Sequence, residues 1–313
     1  MKEKGHRQTP QVRYVRFPLY RRVEHALLML SFTILALTGL PQKFVTHPFS
    51  ENLILWLGGI QRVRQFHHAA AILLIVTSLM HMLSVGYEIF VLQVKPTMLP
   101  SWRDVVYAGQ EFAYNLCLRK EKPPAGRYTF REKIEYWAVV WGTLIMALTG
   151  FMLWNPITTG RVLPAEIIPA AKAAHGWEAV LAVLSILTWH VYHAHVKHFN
   201  KSIFVGWLTE EEMRREHPLE LEWLQRGAAT SAVRWRTMRR RIIVYGLVAS
   251  LVVALSSWGI YTFLTMEQTA ITTVPRKPTI EPYVPVTPTP TPIPSAWKGA
   301  SMHVGIEKMP ERE

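Results

Sequence analysis

The sequence predicts an all-α membrane protein: a four-helix transmembrane bundle followed by a fifth transmembrane helix. Two observations carry this expectation. Five stretches reach or approach the roughly 18 to 20 apolar residues that cross a bilayer core. The lysines and arginines gather in the connections beside those stretches, as the positive charge of cytoplasmic loops requires. Half of the 313 residues are hydrophobic, a share that a soluble enzyme could also show, so their clustering decides the class. A net charge of +13 on a soluble chain would point to nucleic acid; here the charges flank apolar spans, so the expected partner is the lipid bilayer and no nucleic acid.

The first span runs from about Val23 to Leu40 and is expected to close at Thr38-Gly39-Leu40-Pro41, where glycine and proline punctuate a helix end. Arg21 and Arg22 precede it and place the N-terminus in the cytoplasm. No cleavage pattern follows this span, so no removable leader is expected. A short connection containing Pro48 leads to the second span, about Val63 to Val91, which exits into Lys95, Arg103, Arg119, Lys120, Lys122 and Arg127. In that basic stretch Trp102, Val105, Val106 and Phe112 recur at helical spacing beside Arg103, Asp104 and Glu111, the pattern of a helix lying in the membrane interface.

The third span, about Ile134 to Trp154, ends at Asn155-Pro156, and the fourth, about Ala173 to Val196, returns to the basic side at Lys197, Lys201, Arg214 and Arg215. Thr209 before Glu210, Glu211 and Glu212 marks the N-cap of a short helix that Pro218 ends or bends. The fifth span, about Ile242 to Leu264, follows Arg239, Arg240 and Arg241 and exits outside. Beyond it the proline- and threonine-rich segment from Thr273 to Pro294 cannot build a core and is expected to be an extended stalk. The organisation is thus a basic cytoplasmic N-terminus (1–22), a four-helix domain (23–200), a cytoplasmic connection (201–241), the fifth helix (242–264) and an outer tail (265–313). No repeat of solenoid length is found.

Cys117 is the one cysteine, which excludes an internal disulfide, a thiolate iron–sulfur site and Cys-x-x-Cys-His attachment of a c-type haem. Any redox centre must be held by other side chains. Of 13 histidines several lie in the spans, where ionisable groups are costly and usually functional. His25 opens the first, His67, His68 and His81 lie on the second, and His175, His190, His193 and His195 on the fourth. Fourteen residues separate His67 from His81, which on an α-helix is about 21 Å of rise and a turn of about 40°; fifteen separate His175 from His190, about 22 Å and about 60°.

Both helices run from outside to inside, so His67 and His175 share the outer level and His81 and His190 the inner one. Neutral imidazoles from two helices can fill both axial positions of a haem iron, leaving no open site for oxygen chemistry and suiting electron transfer. Two such haems roughly 20 Å apart would carry an electron across the bilayer. His68 suits packing or a proton relay, and His193, His195 and His198 suit a quinone pocket or its proton path, or haem ligation.

These spans resemble the cytochrome b subunits of formate dehydrogenase, nickel–iron hydrogenase and thiosulfate reductase. The resemblance covers roughly residues 15 to 200 and rests on Arg22-Val23-Glu24-His25 with Ala36-Leu37-Thr38-Gly39, on Arg64-Gln65-Phe66-His67, and on His175 with His190-Val191-Tyr192. It implies that His67 and His175 hold an outer haem and that His25 and His190 hold an inner one. His81 departs from that pattern. Arg64-x-x-His67 with His81 fourteen residues on is similar instead to the second helix of cytochrome b in quinol–cytochrome c oxidoreductases, which implies His81 and His190 as the inner pair. A third haem using His25 or His81 with His193 stays open.

The expected function is that of a b-type cytochrome in the cytoplasmic membrane of a bacterium or archaeon. It would pass electrons through two bis-histidine haems between a membrane quinone and an outer-face redox subunit or c-type cytochrome. Glu24, His193 and His195 are candidates for proton exchange with quinone. Two alternatives are a proton-coupled transporter, which calls for broken helices and acids within the spans, and a membrane anchor for an outer assembly. No substrate-converting site of the chain's own is expected, apart from quinone chemistry.

Overall fold

The computed structural model describes residues 12–197, 199–227 and 235–265. In chain order these form strand β1 (Arg13–Val15), α1 (Leu19–Lys43), α2 (Pro48–Trp56), α3 (Ile60–Phe90), α4 (Trp102–Asn115), α5 (Phe130–Trp154), α6 (Pro156–Val162) and α7 (Ile167–Ser185). A π-helical segment (Ile186–Lys197) continues α7 and is followed by α8 (Ser202–Val205), strand β2 (Trp207–Thr209), α9 (Glu210–Glu216), α10 (Pro218–Gln225) and α11 (Trp235–Thr265). Among the described residues, five helices are long and apolar enough to cross a membrane: α1, α3, α5, α7 with its continuation, and α11. The protein is a multi-pass helical membrane protein.

The spans bury small and polar residues and turn their large apolar ones outward. Leu30, Leu37, Leu144, Leu181, Leu247 and Leu251 are exposed, whereas Ser31, Thr38, Ala70, Thr77 and Ala171 are buried. Lipid tails are as apolar as leucine, so helices gain by close approach across small side chains. The buried residues of α1 (Glu24, Ser31, Thr38) and of α3 (Val63, Ala70, Thr77) each recur every seven residues, which makes one seam of the antiparallel pair. Their hydroxyls bond within the helix, Ser31 to the Leu27 carbonyl at 2.9 Å and Thr77 to that of Leu73 at 2.8 Å, as a site without water demands.

Helix α11 lies along the side made by α3 and α5. The Tyr245 hydroxyl donates to the Leu83 carbonyl of α3. A Cβ on Gly86 would stand 3.1 Å from the Tyr245 oxygen, so glycine makes the notch. Towards the other end of α11, Phe263 meets Phe151 and Trp154 of α5, with ring centres 5.2 and 4.5 Å away.

At the end where α1 begins, here called the basic end, a small cap ties the connections together. Strands β1 and β2 pair antiparallel, Tyr14 opposite Leu208. Leu208, Met213 and Leu221 form its apolar centre against Tyr14 and Leu224. Arg16, 2% exposed, places Nη1 at 2.7 Å from Glu220 Oε2, and Arg127 Nη1 reaches Glu220 Oε1 at 2.6 Å. His217 Nδ1 meets the Gly126 carbonyl at 2.9 Å. Gly206 takes φ +89°, and a Cβ there would stand 2.9 Å from the Phe17 carbonyl oxygen.

Several boundaries differ from the sequence expectation. Helix α1 does not stop at Gly39-Leu40-Pro41 but runs to Lys43, with Pro41 inside its last turn. There the missing proline N–H leaves one carbonyl short and few further bonds are at stake. The connection containing Pro48 forms α2, with proline in its first turn. The fourth span starts at Ile167 and is π-helical from Ile186, so the α-helical rise and angle do not carry through to His190. The β1–β2 ribbon is too short to have left an alternating pattern. The interfacial helix and the Thr209-capped helix are present as α4 and α9, Thr209 accepting from the Glu212 N–H at 3.3 Å. The stalk and His198 lie outside the described residues.

Two outcomes test the cap. Glu220→Ala strands two arginines and should lower cap stability by about 3–5 kcal/mol, read as faster hydrogen exchange of α9 and α10. Burial, and next the Arg16 charge, hold the His217 imidazole below its usual pKa. As pH falls through about 6.5 the unfolded ring takes a proton that the folded ring refuses, so cap stability declines on acidification. The protection factors of α9 and α10, with the intrinsic pH dependence of exchange divided out, should therefore fall from pH 7.5 to 5.5, and much less so in His217→Asn.

Candidate functional site

Near the end of the bundle opposite the basic one, His67 of α3 and His175 of α7 face each other with ring centres 6.3 Å apart and planes at 66°. Each imidazole is held from behind by a threonine of the helix preceding its own in the bundle. His67 Nδ1 lies 2.9 Å from Thr38 Oγ1, and His175 Nδ1 2.9 Å from Thr149 Oγ1. Those hydroxyls give their own protons to helix carbonyls, Thr38 to Ile34 at 2.6 Å and Thr149 to Ile145 at 2.7 Å. They therefore accept from Nδ1–H, which fixes the tautomer and leaves each Nε2 bare toward the other ring. Glycine follows each threonine. A Cβ on Gly39 would stand 3.0 Å from His67 Cε1, and one on Gly150 3.2 Å from His175 Cε1.

A second layer lies toward the basic end. His25 of α1 faces His190 of the π-helical segment, ring centres 6.4 Å apart and planes at 42°. His190 Nδ1 is 2.8 Å from Glu135 Oε2 of α5. His81 does not share this arrangement: its Nδ1 is 2.8 Å from Glu24 Oε2 and its Nε2 is 3.1 Å from the Tyr136 hydroxyl. The structure thus brings His190 against His25, with His81 against Tyr136.

The remaining histidines have other neighbours. His195 stands edge-on to His190 at 6.3 Å and lies beside the stacked rings of Phe199 and Phe204. His193 bonds the Trp189 carbonyl at 2.8 Å and lies against Trp189 and Tyr192. His68 stacks on Trp154 with centres 3.6 Å apart.

The two layers show an internal two-fold that the sequence reading missed. Ala36-Leu37-Thr38-Gly39 recurs as Ala147-Leu148-Thr149-Gly150, 111 residues on (149 − 38), and Glu24 is followed at the same distance by Glu135. The pair α1/α3 and the pair α5/α7 are therefore equivalent halves. In each, a threonine holds one histidine and a glutamate the other. His67 to His81 spans fourteen residues and His175 to His190 fifteen; the wider π turns after Ile186 take up the extra residue. The same offset carries His25 onto Tyr136. Glu135 and Tyr136 could have been found from the repeated Ala-Leu-Thr-Gly, which lies too far apart and is too short to stand out as a repeat.

Both histidine pairs fit an iron between them. Metal–imidazole bonds of about 2.0–2.1 Å, with the nitrogen roughly 1.1 Å from its ring centre, put two coaxial ring centres about 6.2–6.4 Å apart, against 6.3 and 6.4 Å here. Gly39 and Gly150 make room for the His67 and His175 rings themselves. Trp154 Nε1 and the Asn155 side-chain amide, just past Thr149 on the chain, are buried without a protein partner among the described residues, free for an acceptor such as a haem carboxylate. His81 and Tyr136 leave no such gap, because 3.1 Å between the facing atoms is shorter than two metal bonds. Among the described residues no cluster of three or more His, Cys, Asp or Glu could hold a bare metal ion.

Residues 16–209 match the prokaryotic cytochrome b561 family. The formate dehydrogenase cytochrome b556(fdo) subunits of Escherichia coli strains K12, O6:H1 and O157:H7 are each 23% identical over 208 residues, covering 65% of this chain and 90% of theirs. With paired imidazoles in a bundle of membrane-spanning helices, the chain belongs to the prokaryotic cytochrome b561 family, as a multi-pass membrane cytochrome that carries b-type haem and serves electron transfer.

Proposed function

We propose that the chain holds two b-type haems, one between His67 and His175 and one between His25 and His190, and passes electrons between a membrane quinone and a redox partner at the outer face. The observation that carries this is the separation of the ring centres, 6.3 Å in one pair and 6.4 Å in the other, each suited to one iron bound on both sides. Haem held by these histidines would supply one-electron chemistry. Two histidines facing each other in each pair would hold the group from both sides, which suits a carrier.

The basic end, with Arg21, Arg22 and the Arg239 to Arg241 run, is taken as cytoplasmic on the positive-inside rule. The His67–His175 layer is then the outer one. Likeness to a formate dehydrogenase subunit favours a catalytic or iron–sulfur subunit as the outer partner.

The chain's own residues set what each site favours. Thr38 and Thr149 orient their imidazoles through Nδ1–H, and Glu135 does so with a carboxylate. A carboxylate on Nδ1–H makes the imidazole more basic than a hydroxyl does, so His190 should favour oxidised iron more than His67 or His175. The acids expected of a transporter do occur as Glu24 and Glu135, but both are tied to histidines rather than lining an open path.

Alanine variants test the pairing. His67→Ala and His175→Ala should lose the same haem signal from the reduced-minus-oxidised spectrum, His25→Ala and His190→Ala the other, and His81→Ala neither. Loss of a haem from His81→Ala with His25→Ala intact would reassign the inner pair. Glu135→Gln should keep both haems and raise one midpoint potential by on the order of tens of millivolts, measured by redox titration; an unmoved potential would remove Glu135 from that role.

A further inference from the structure

The internal two-fold makes two equivalent positions in the basic-end layer, and only one has the geometry of a haem site. His25 and His190 occupy the α1/α7 side. Their mates, Tyr136 and His81, occupy the α3/α5 side, where the hydroxyl sits 3.1 Å from Nε2. The divergence is specific. The supporting glutamate is kept, Glu24 for Glu135, while the residue facing the histidine has changed from imidazole to phenol. A polar pair retained at a membrane-embedded level without a metal to bind calls for another ligand.

The chemistry of the pair is two-faced. His81 Nδ1 lies 2.8 Å from Glu24 Oε2 and 2.9 Å from Arg21 Nη1; the two hydrogens of Nη1 go to Glu24 and Ser84, so Nδ1–H donates to the carboxylate, Nε2 is an acceptor and the Tyr136 hydroxyl a donor. A quinone carbonyl needs a donor, which Tyr136 supplies. A quinol hydroxyl needs an acceptor, which His81 Nε2 supplies. Glu24 is itself fixed by Arg21 Nη1 at 2.9 Å and by the Ser84 hydroxyl at 2.7 Å. Arg21 Nη2 then reaches Glu88 at 2.7 Å, and Glu88 accepts from the exposed Tyr20 hydroxyl, so the support runs to the surface of the basic end.

Access is also one-sided. The His81 side chain keeps 31% of its surface exposed. Trp137 stands edge-on to Tyr136 at 5.7 Å. Helix α11 flanks this same α3/α5 side, with Tyr245 seated at Leu83 and Gly86, two and five residues beyond His81. The two halves have no second helix equivalent to α11 among the described residues.

We propose that His81 and Tyr136 form the head-group site for a membrane para-quinone and its quinol, on the opposite side of the layer from the His25–His190 pair, with α11 as one wall. This rests on the proposed quinone reading and assigns its site. The test uses the full-length protein in lipid nanodiscs, a short-chain azido-naphthoquinone as photolabel, and mass spectrometry of the labelled peptides. Label should fall on α3 around His81 or α5 around Tyr136. Unlabelled naphthoquinone should compete it away. Tyr136→Phe should cut it about tenfold while leaving the haem spectrum unchanged.

Competed label around His25 and His190 would move the site to the other half and overturn this proposal while keeping quinone as substrate. Label that Tyr136→Phe leaves at wild-type strength would also overturn it. Loss of a haem from His81→Leu would make His81 an iron ligand and do the same. No competed label anywhere, together with no haem reduction by naphthoquinol, would remove the quinone reading itself.

Discussion

Four imidazoles that face into this bundle, His67, His81, His175 and His190, have the back nitrogen satisfied by a side chain of a neighbouring helix. In a membrane-embedded bundle a bare Nδ1–H would cost free energy and a loose ring would aim nowhere. Thr38, Thr149, Glu24 and Glu135 each supply that one bond from the helix preceding the histidine's own in the bundle. The rest of the arrangement follows. Helices α1 and α3 must meet along a seam of small residues for the bonds to reach, and glycine must follow each threonine so that the ring can lie flat against the helix.

The likeness of the two halves accounts for the pairing within each layer, and the differences between the halves account for the asymmetry of one layer. The layer away from the basic end remains symmetric, His67 against His175, each backed by threonine. The other is asymmetric in three linked ways: His25 answers to Tyr136, α7 is wound as a π-helix where α3 is not, and α11 flanks one side alone. On the proposed reading, one half of that layer was left to bind iron and the other to bind quinone.

Much of this was legible in the sequence, for identifiable reasons. Apolar length and basic flanks located the five spans, because a membrane imposes both over twenty residues at a time. Depth matched His67 with His175, since a straight helix converts sequence distance into height. The inner partner of His190 was not legible: His25 and His81 both stand at that level, and the choice depends on which way α1 and α3 turn, as well as on π turns that no residue pattern announced. Glu135 and Tyr136 were missed for a related reason. They lie at the start of an apolar span, where acids and tyrosines pass for interfacial residues until the halves are overlaid.

The central claim is that the two histidine pairs each bind one haem and that no third is held. Haem-to-protein stoichiometry by pyridine haemochrome on the purified full-length wild type, with low-temperature electron paramagnetic resonance of the oxidised protein, tests it most directly. The account predicts two b-type haems per chain, both low-spin with imidazole on either side. One haem, three haems, or a high-spin signal from an intact preparation would contradict it.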